Sequence, residues 1–376
     1  MSLRMKVNVR VKRLILKEYP VCRRERVETC GITPGMFNRN LDVLRAVAVL
    51  CVVADHCIEI GRPQLPSARL LGRFGVLIFF VHTALVLLLS LQRHRESRWP
   101  AIQFYIQRIF RIYPLSMLCI AVALFYSVPW EPDARFEWLP WMDVLRNLTL
   151  TQNFAPGHPI SGPMWSLPYE IQMYVLLPGI WWFVRKYSTD GAWVLAFAAI
   201  ITATAERLFV SQVLWITCFF PCFMGGVLAF ATYTRRPILP ARLWIPAIGL
   251  FWWFLTAITR ILPPVNEWLL CLILGFSIPL FRQMKKGYVS KGAALVARYS
   301  YAIYLSHQPL LWLCFRKTST PREIQWAGFA IISVLLPALL YHVVEAPMIR
   351  VGKTLSRYIA QSAGIDPVHG NRRDAD

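Results

Sequence analysis

Charged side chains are scarce in this chain, and acidic ones scarcest. Only 16% of its 376 residues are Asp, Glu, Lys or Arg, where a soluble domain carries about a quarter. The 56% hydrophobic content falls in blocks of about twenty residues, the length of a bilayer crossing. Together these exclude an ordinary water-soluble domain and predict an all-α polytopic membrane protein. The nine cysteines include no CxxC pair. Cys51, Cys57, Cys119, Cys218, Cys222, Cys271 and Cys314 lie in or beside apolar blocks and read as reduced packing residues. No metal site is expected, since Cys218 and Cys222 have no nearby His ligands. No internal repeat is visible, which weighs against an inverted-repeat transporter. The first 39 residues lack an apolar core, so they read as a basic cytoplasmic arm and not as a secretory signal peptide.

The shortage of acid leaves a net charge of +21. In a soluble protein that excess would point to nucleic acid. Here the Lys and Arg sit between apolar blocks, so they read as topology signals and contacts to anionic membrane lipids, with no nucleic-acid partner.

Ten blocks are long enough to cross. They lie near 41–60, 72–91, 112–130, 164–184, 191–207, 212–233, 243–260, 265–281, 297–315 and 325–348. Basic connections alternate with sparser ones, and the positive-inside rule then places both termini in the cytoplasm. The expected organisation is a basic arm (1–39), a ten-helix membrane bundle (40–350) and a polar cytoplasmic tail (351–376). The expected location is the cytoplasmic (inner) membrane, crossed many times.

The first block, LDVLRAVAVLCVVADHCIEI, is apolar enough to cross yet carries Asp42, Arg45, Asp55 and His56. Ionisable groups inside a span are costly and default to a functional reading. Arg45 and His56 are eleven residues apart, close to three helical turns, so they share a face about 16 Å long. In this topology Arg45 lies in the inner half and His56 in the outer half. An arginine that holds an anion and a histidine that exchanges a proton would suit that placement. The plainer alternative is structural pairing, Asp42 with Arg45 and Asp55 with His56.

Four further stretches carry polar residues at helical spacing. Arg108 and Arg111 form a one-turn guanidinium pair at the cytoplasmic membrane surface, suited to a phosphate-bearing ligand; simple positive-inside anchoring would also place them there. PMWSLPYEIQMY opens the fourth span. Trp165 reads as part of an interfacial belt there, Glu170 and Tyr174 share a face, and Glu170 is expected at the depth of His56. Ser300, Tyr304 and His307 form a stripe in the ninth span. Ser300 and His307 are two turns apart, too far for a nucleophile–base pair. Glu345, in HVVEAP near the cytoplasmic surface, reads as a structural partner for a basic loop. Trp130, Trp138 and Trp141 in the outer loop would offer stacking surfaces for sugars, or serve as interfacial anchors.

The ordered succession of Arg45 and His56, FFVHTALVLLLS, RIFRIYPL, MWSLPYEIQMYVLLP, FFPCFMGGVLAF, YSYAIYLSHQPL and VEAP resembles the acyltransferase 3 family of integral membrane acyltransferases, over about residues 36–350. The resemblance implies ten membrane helices. It also implies transfer of an acyl group, usually acetyl, from cytoplasmic acyl-CoA to a hydroxyl of a glycan or similar acceptor. Acyl-CoA is then a co-substrate, and no permanently bound cofactor is implied. Arg45 and His56 match the family's Arg-x10-His pair and Arg108 and Arg111 its Arg-x-x-Arg motif. Glu170 falls at its span-four Glu, and Tyr304 with His307 match its span-nine motif. Two departures stand out. His82-Thr83-Ala84 replaces the Leu-Ser-Gly of the usual FFVLSGFLI, and no soluble esterase-like domain follows the last span.

The mechanism expected from these residues has Arg108, Arg111 and Arg45 holding the donor phosphates. His56 activates the acceptor hydroxyl or itself carries the acyl group. Glu170 or Asp55 orients the imidazole. A transporter or flippase is the alternative: it would line a path with the same charges and move substrate without consuming acyl-CoA.

Overall fold

The computed structural model describes residues 38–61, 69–130, 135–155, 159–209, 217–258 and 264–362. The basic arm up to residue 37, the outer-loop acids Glu131 and Asp133, and the tail beyond 362 lie outside the described residues. Among the described residues the fold is all-helical, with one isolated bridge, Leu239 to Phe281, and no strand.

The helices are α1 (Asn38–Gly61), α2 (Arg69–Arg93), α3 (Pro100–Phe125), the short α4 (Trp141–Thr149), α5 (Leu167–Phe209), α6 (Phe220–Thr232), α7 (Trp244–Ile258), α8 (Val265–Ser277), α9 (Tyr288–Phe315), α10 (Arg322–Leu340) and α11 (Ala346–Ser362). Each apolar block of the sequence overlaps one of these helices, and the last runs from α10 through a turn into α11. The segments Leu70–Arg93, Pro100–Phe125, Gly162–Phe209 and Arg322–Gln361 are long and apolar enough to cross a membrane. Large apolar side chains stand exposed on α5, α7 and α10, among them Trp182, Phe197, Ile201, Trp253, Val334 and Leu335. That is the surface a lipid solvent requires and an aqueous one penalises.

Boundaries differ from the sequence reading in three places that matter for the site. First, α1 begins at Asn38, inside the expected arm (1–39). Its first turn is tied down: Asn40 donates to the Arg282 carbonyl at 3.1 Å and accepts from the Met284 amide at 3.0 Å, while Trp244 Nε1 donates to the Asn40 carbonyl. Second, α3 begins at Pro100, twelve residues before the expected 112, with proline at the first helical position where its missing N–H costs nothing. Phe104, Arg108, Arg111 and Leu115 then follow at i, i+4, i+7 and i+11. Both arginines therefore continue a face whose apolar members are buried. Both border a chamber inside the bundle, a placement that an average of hydropathy along the chain cannot show. Third, the fourth and fifth blocks form one long helix broken at Ser188, whose backbone sits at φ 53° and ψ −136°, a region rare for non-glycine residues.

Close packing rests on small residues, as is usual for helices in lipid. A Cβ on Gly275 would overlap the Gly225 carbonyl, so α6 and α8 touch backbone to backbone. The site is built by α1, which packs on both α2 and α9. After Leu340 the chain makes one π turn, Tyr341–Glu345, before α11. That last helix runs past residue 350 to Ser362 and packs along α3.

Candidate active site

The polar faces of α1 and α9 meet. At one end Arg45 Nε donates to Ser300 Oγ at 2.6 Å. At the other, the Gln308 side-chain amide lies 3.3 Å from His56 Nε2, and the His56 and His307 rings are 5.2 Å apart. Contacts rising together from 45 to 56 and from 300 to 308 make the two helices parallel. Each helix thus carries its polar stripe through the same two chambers.

The chamber at the Arg45 end (termed inner, with the one at the His56 end termed outer), of about 70 Å3, is lined by Arg45, His82, Arg108, Arg111, Glu170, Tyr174 and Ser300. Tyr174 donates to Glu170 Oε2 at 3.0 Å. Arg111 lies 3.7 Å from Glu345, which is 1% exposed and sits on the π turn. An inserted residue of this kind re-aims a side chain, and π turns recur at functional sites. Three guanidinium groups here face two carboxylates. Arg108 Nε is buried and has no hydrogen-bond partner among the described residues. A buried charged donor without an acceptor is costly, and a bound anion would supply one. Arg45, His82 and Arg111 also border a cavity of about 380 Å3 that reaches Asp42 and Arg298. Arg108 borders another of about 880 Å3, edged by Arg93, Lys353 and Arg357.

The outer chamber, of about 300 Å3, is lined by Asp55, His56, Arg73, Trp130, Trp165, His307 and Gln308. His56 Nδ1 lies 3.3 Å from the Glu59 carboxylate. A carboxylate can only accept, so in the neutral ring Nδ1 carries the hydrogen and Nε2 the lone pair; the Gln308 amide nitrogen lies against the ring, 3.3 Å from Nε2 and 3.4 Å from Nδ1. Gly162 makes room for this arrangement: a Cβ there would overlap Gln308 Oε1 and the Trp130 carbonyl. Asp55 is buried against Gly72, where a Cβ would strike its carboxylate. Val76 and Tyr304 border both chambers. The Tyr304 hydroxyl and Ser166 Oγ, 2.8 Å apart, close the partition between them.

The residues expected from sequence therefore divide. Arg45, Arg108, Arg111, Glu170 and Tyr174 gather in the inner chamber; Asp55, His56, Trp165 and His307 gather in the outer one; Tyr304 stands between. Two expectations are corrected. Glu170 does not sit beside the imidazole of His56, whose polar neighbours are Glu59 and Gln308. The cause is the buried 3-10 turn Gly162–Ser166, which dips into the bundle and starts α5 deeper than its first apolar residue suggests. Trp165, expected in an interfacial belt, lies partly buried on the outer chamber with the Arg73 guanidinium 5.5 Å from its ring.

Sequence reasoning missed Glu59, Arg73, Ser166, Glu267 and Gln308. Arg73 makes a two-pronged pair with Glu267 at 2.8 and 2.9 Å and lies 4.7 Å from the Phe219 ring. Glu267 is only 13% exposed. Arg73→Ala leaves that carboxylate unpaired, and the expected cost is about 3 kcal/mol, the low end for breaking a buried pair because Arg73 is partly exposed. Thermal unfolding in detergent checks this, with Arg73→Met/Glu267→Met expected to recover most of the loss.

The chain thus sets a chamber lined by three arginines beside one lined by two imidazoles, within a helical bundle of apolar surface. A family model described as an acyltransferase domain matches residues 38–342, and the chain belongs to that family, acyltransferase 3. Peptidoglycan O-acetyltransferase OatA of Listeria monocytogenes is 29% identical over 153 residues, which are 37% of this chain and 23% of that protein. O-acetyltransferase OatA of Staphylococcus aureus is 28% identical over 153 residues, 37% of this chain and 24% of that protein. The chain thus spans about a quarter of the length of these relatives. Nodulation protein 10 of Rhizobium leguminosarum bv. viciae is 23% identical over 356 residues, 84% of this chain and 94% of that protein. No solved structure matches.

Proposed function

We propose that the chain is a membrane O-acyltransferase that moves an acyl group, in the first instance acetyl, from cytoplasmic acyl-CoA to a hydroxyl of a glycan or lipid-linked saccharide. The observation that carries this reading is the pair of chambers sharing one wall. The inner one is cationic and leads to two further cavities rimmed by Arg and Lys, as a phosphate-bearing donor requires. The outer one holds His56 with its lone pair fixed and aromatic surfaces from Trp130 and Trp165, as a saccharide hydroxyl requires. Ten crossings, cytoplasmic termini and an inner-membrane location belong to the same reading, supported by the alternation of basic connections. The relatives called O-acetyltransferases support a hydroxyl as the acceptor.

In this mechanism Arg108, Arg111 and Arg45 hold the donor phosphates. The thioester reaches the Tyr304–Ser166 partition, and His56 acts beyond it as base or acyl carrier. Glu170 and Tyr174 set the charge of the inner chamber. Asp55 and Tyr304 support the outer one. The test is the ester-linked acetyl content of surface and periplasmic glycans with and without the gene. A fall on deletion, restored by the intact gene and not by its His56→Ala form, is expected. Unchanged acetyl content in every glycan fraction would count against the reading. The transporter alternative predicts movement of solute with no release of coenzyme A.

A further inference from the structure

We propose that the outer chamber works with two imidazoles: His307 takes the proton of the acceptor hydroxyl while His56 carries the acyl group. The inference rests on the acyl-transfer reading above and assigns a step to a residue so far only placed nearby.

Three observations lead to it. His307 Nδ1 lies 2.6 Å from the Tyr304 carbonyl oxygen. A carbonyl only accepts, so Nδ1 carries the hydrogen, and in a neutral ring Nε2 is then a bare lone pair. That Nε2 is buried and has no hydrogen-bond partner among the described residues, in a side chain 1% exposed that borders the outer chamber. An unsatisfied buried acceptor asks for a donor, and a ligand hydroxyl is one. Finally, the His307 and His56 rings are 5.2 Å apart and inclined at 36°. One hydroxyl between them would reach a base on one side and an acyl carbon on the other.

His56 is held differently. Its Nδ1 faces Glu59, so Nε2 is the nitrogen able to take an acyl group. In the first step Nε2 of His56 bonds to the thioester carbon, the C–S bond breaks, and coenzyme A leaves with the electron pair as thiolate. In the second, the acceptor oxygen bonds to the acyl carbon and its proton passes to His307 Nε2. The C–N bond breaks and its electron pair returns to His56. His307 then releases the proton to water, and the thiolate takes one from the cytoplasmic solvent. The sum is thioester plus alcohol giving ester plus thiol.

The test uses the purified full chain and labelled acetyl-CoA, with methanol as the hydroxyl probe and hydroxylamine as a nucleophile that needs no base. His307→Asn keeps an N–H for the Tyr304 carbonyl but has no atom at the Nε2 position; His307→Gln is the second variant, and melting temperatures verify both folds. Wild type and His307→Asn are expected to gain one acetyl per chain, and His56→Ala none. Methanol should discharge the variant about 10²–10⁴-fold more slowly than wild type, the usual worth of a general base. Hydroxylamine should discharge both equally. Discharge of the variant by methanol at the wild-type rate overturns the assignment. So does a folded variant that gains no label, or a wild type that turns over with no label on the chain. A wild type that consumes no acetyl-CoA at all overturns instead the reading on which the proposal rests.

Discussion

His56→Ala removes acyl transfer while leaving the fold intact. The expected loss is about 10²–10⁴-fold as a base, and greater if His56 carries the acyl group. The reason is local. Among the described residues Glu59 and Gln308 bond this ring and His307 packs on it, at the rim of a chamber that is already open, so truncation enlarges a cavity without orphaning a buried charge. The inner chamber keeps its three arginines and its Ser300 and Glu345 contacts. Donor binding should therefore persist, and a labelled acetyl-CoA binding assay on the variant separates lost chemistry from lost substrate. Transfer at a near-normal rate would remove His56 from the centre of the mechanism.

Arg108→Ala is expected to act on the other substrate. Its Nε is buried and has no hydrogen-bond partner among the described residues, in contrast to Arg45 on Ser300 and Arg111 beside Glu345. A charge-assisted hydrogen bond to a ligand is worth about 1.5–3 kcal/mol, which is about 10–150-fold in affinity. The KM for acetyl-CoA should rise by that factor with little change for the acceptor. Stability should change little, since the substitution removes a buried donor that has no hydrogen-bond partner among the described residues. Arg73→Ala is the opposite case, where stability falls because the pair with Glu267 is already complete. Initial rates at varied donor concentration, with melting temperature on the same preparations, distinguish a ligand contact from a structural one.

The fold class was legible because lipid imposes it: long apolar blocks separated by basic connections admit little but helices. The polar stripes of α1 and α9 were legible for a similar reason, since helical spacing fixes which residues share a face. Depth was not. Glu170 was placed beside His56 by counting from the start of an apolar block, and a 3-10 turn that dips inward moved it to the other chamber. Arg108 and Arg111 read as a one-turn pair from their spacing, but that they border an interior chamber does not show in the sequence, because hydropathy averages over faces. Glu345, expected to pair with a basic segment, does so with Arg111; the π turn that carries it leaves no mark on composition. Glu59 and Gln308 sat within stretches already singled out. Glu59 follows His56 by one turn of α1, a relation that spacing along one helix does contain; Gln308 meets His56 only through the pairing of two helices some 250 residues apart in sequence, which such spacing does not contain.

The most direct test of the two-chamber account is stoichiometry across a sealed membrane. The chain is reconstituted in vesicles with acetyl-CoA supplied only to the face carrying the basic connections and a glycan extract only to the other. The account predicts one coenzyme A thiol released for each acetyl ester formed on the glycan, on opposite sides, and neither product from His56→Ala. Glycan or solute crossing the membrane with no thiol released would contradict it.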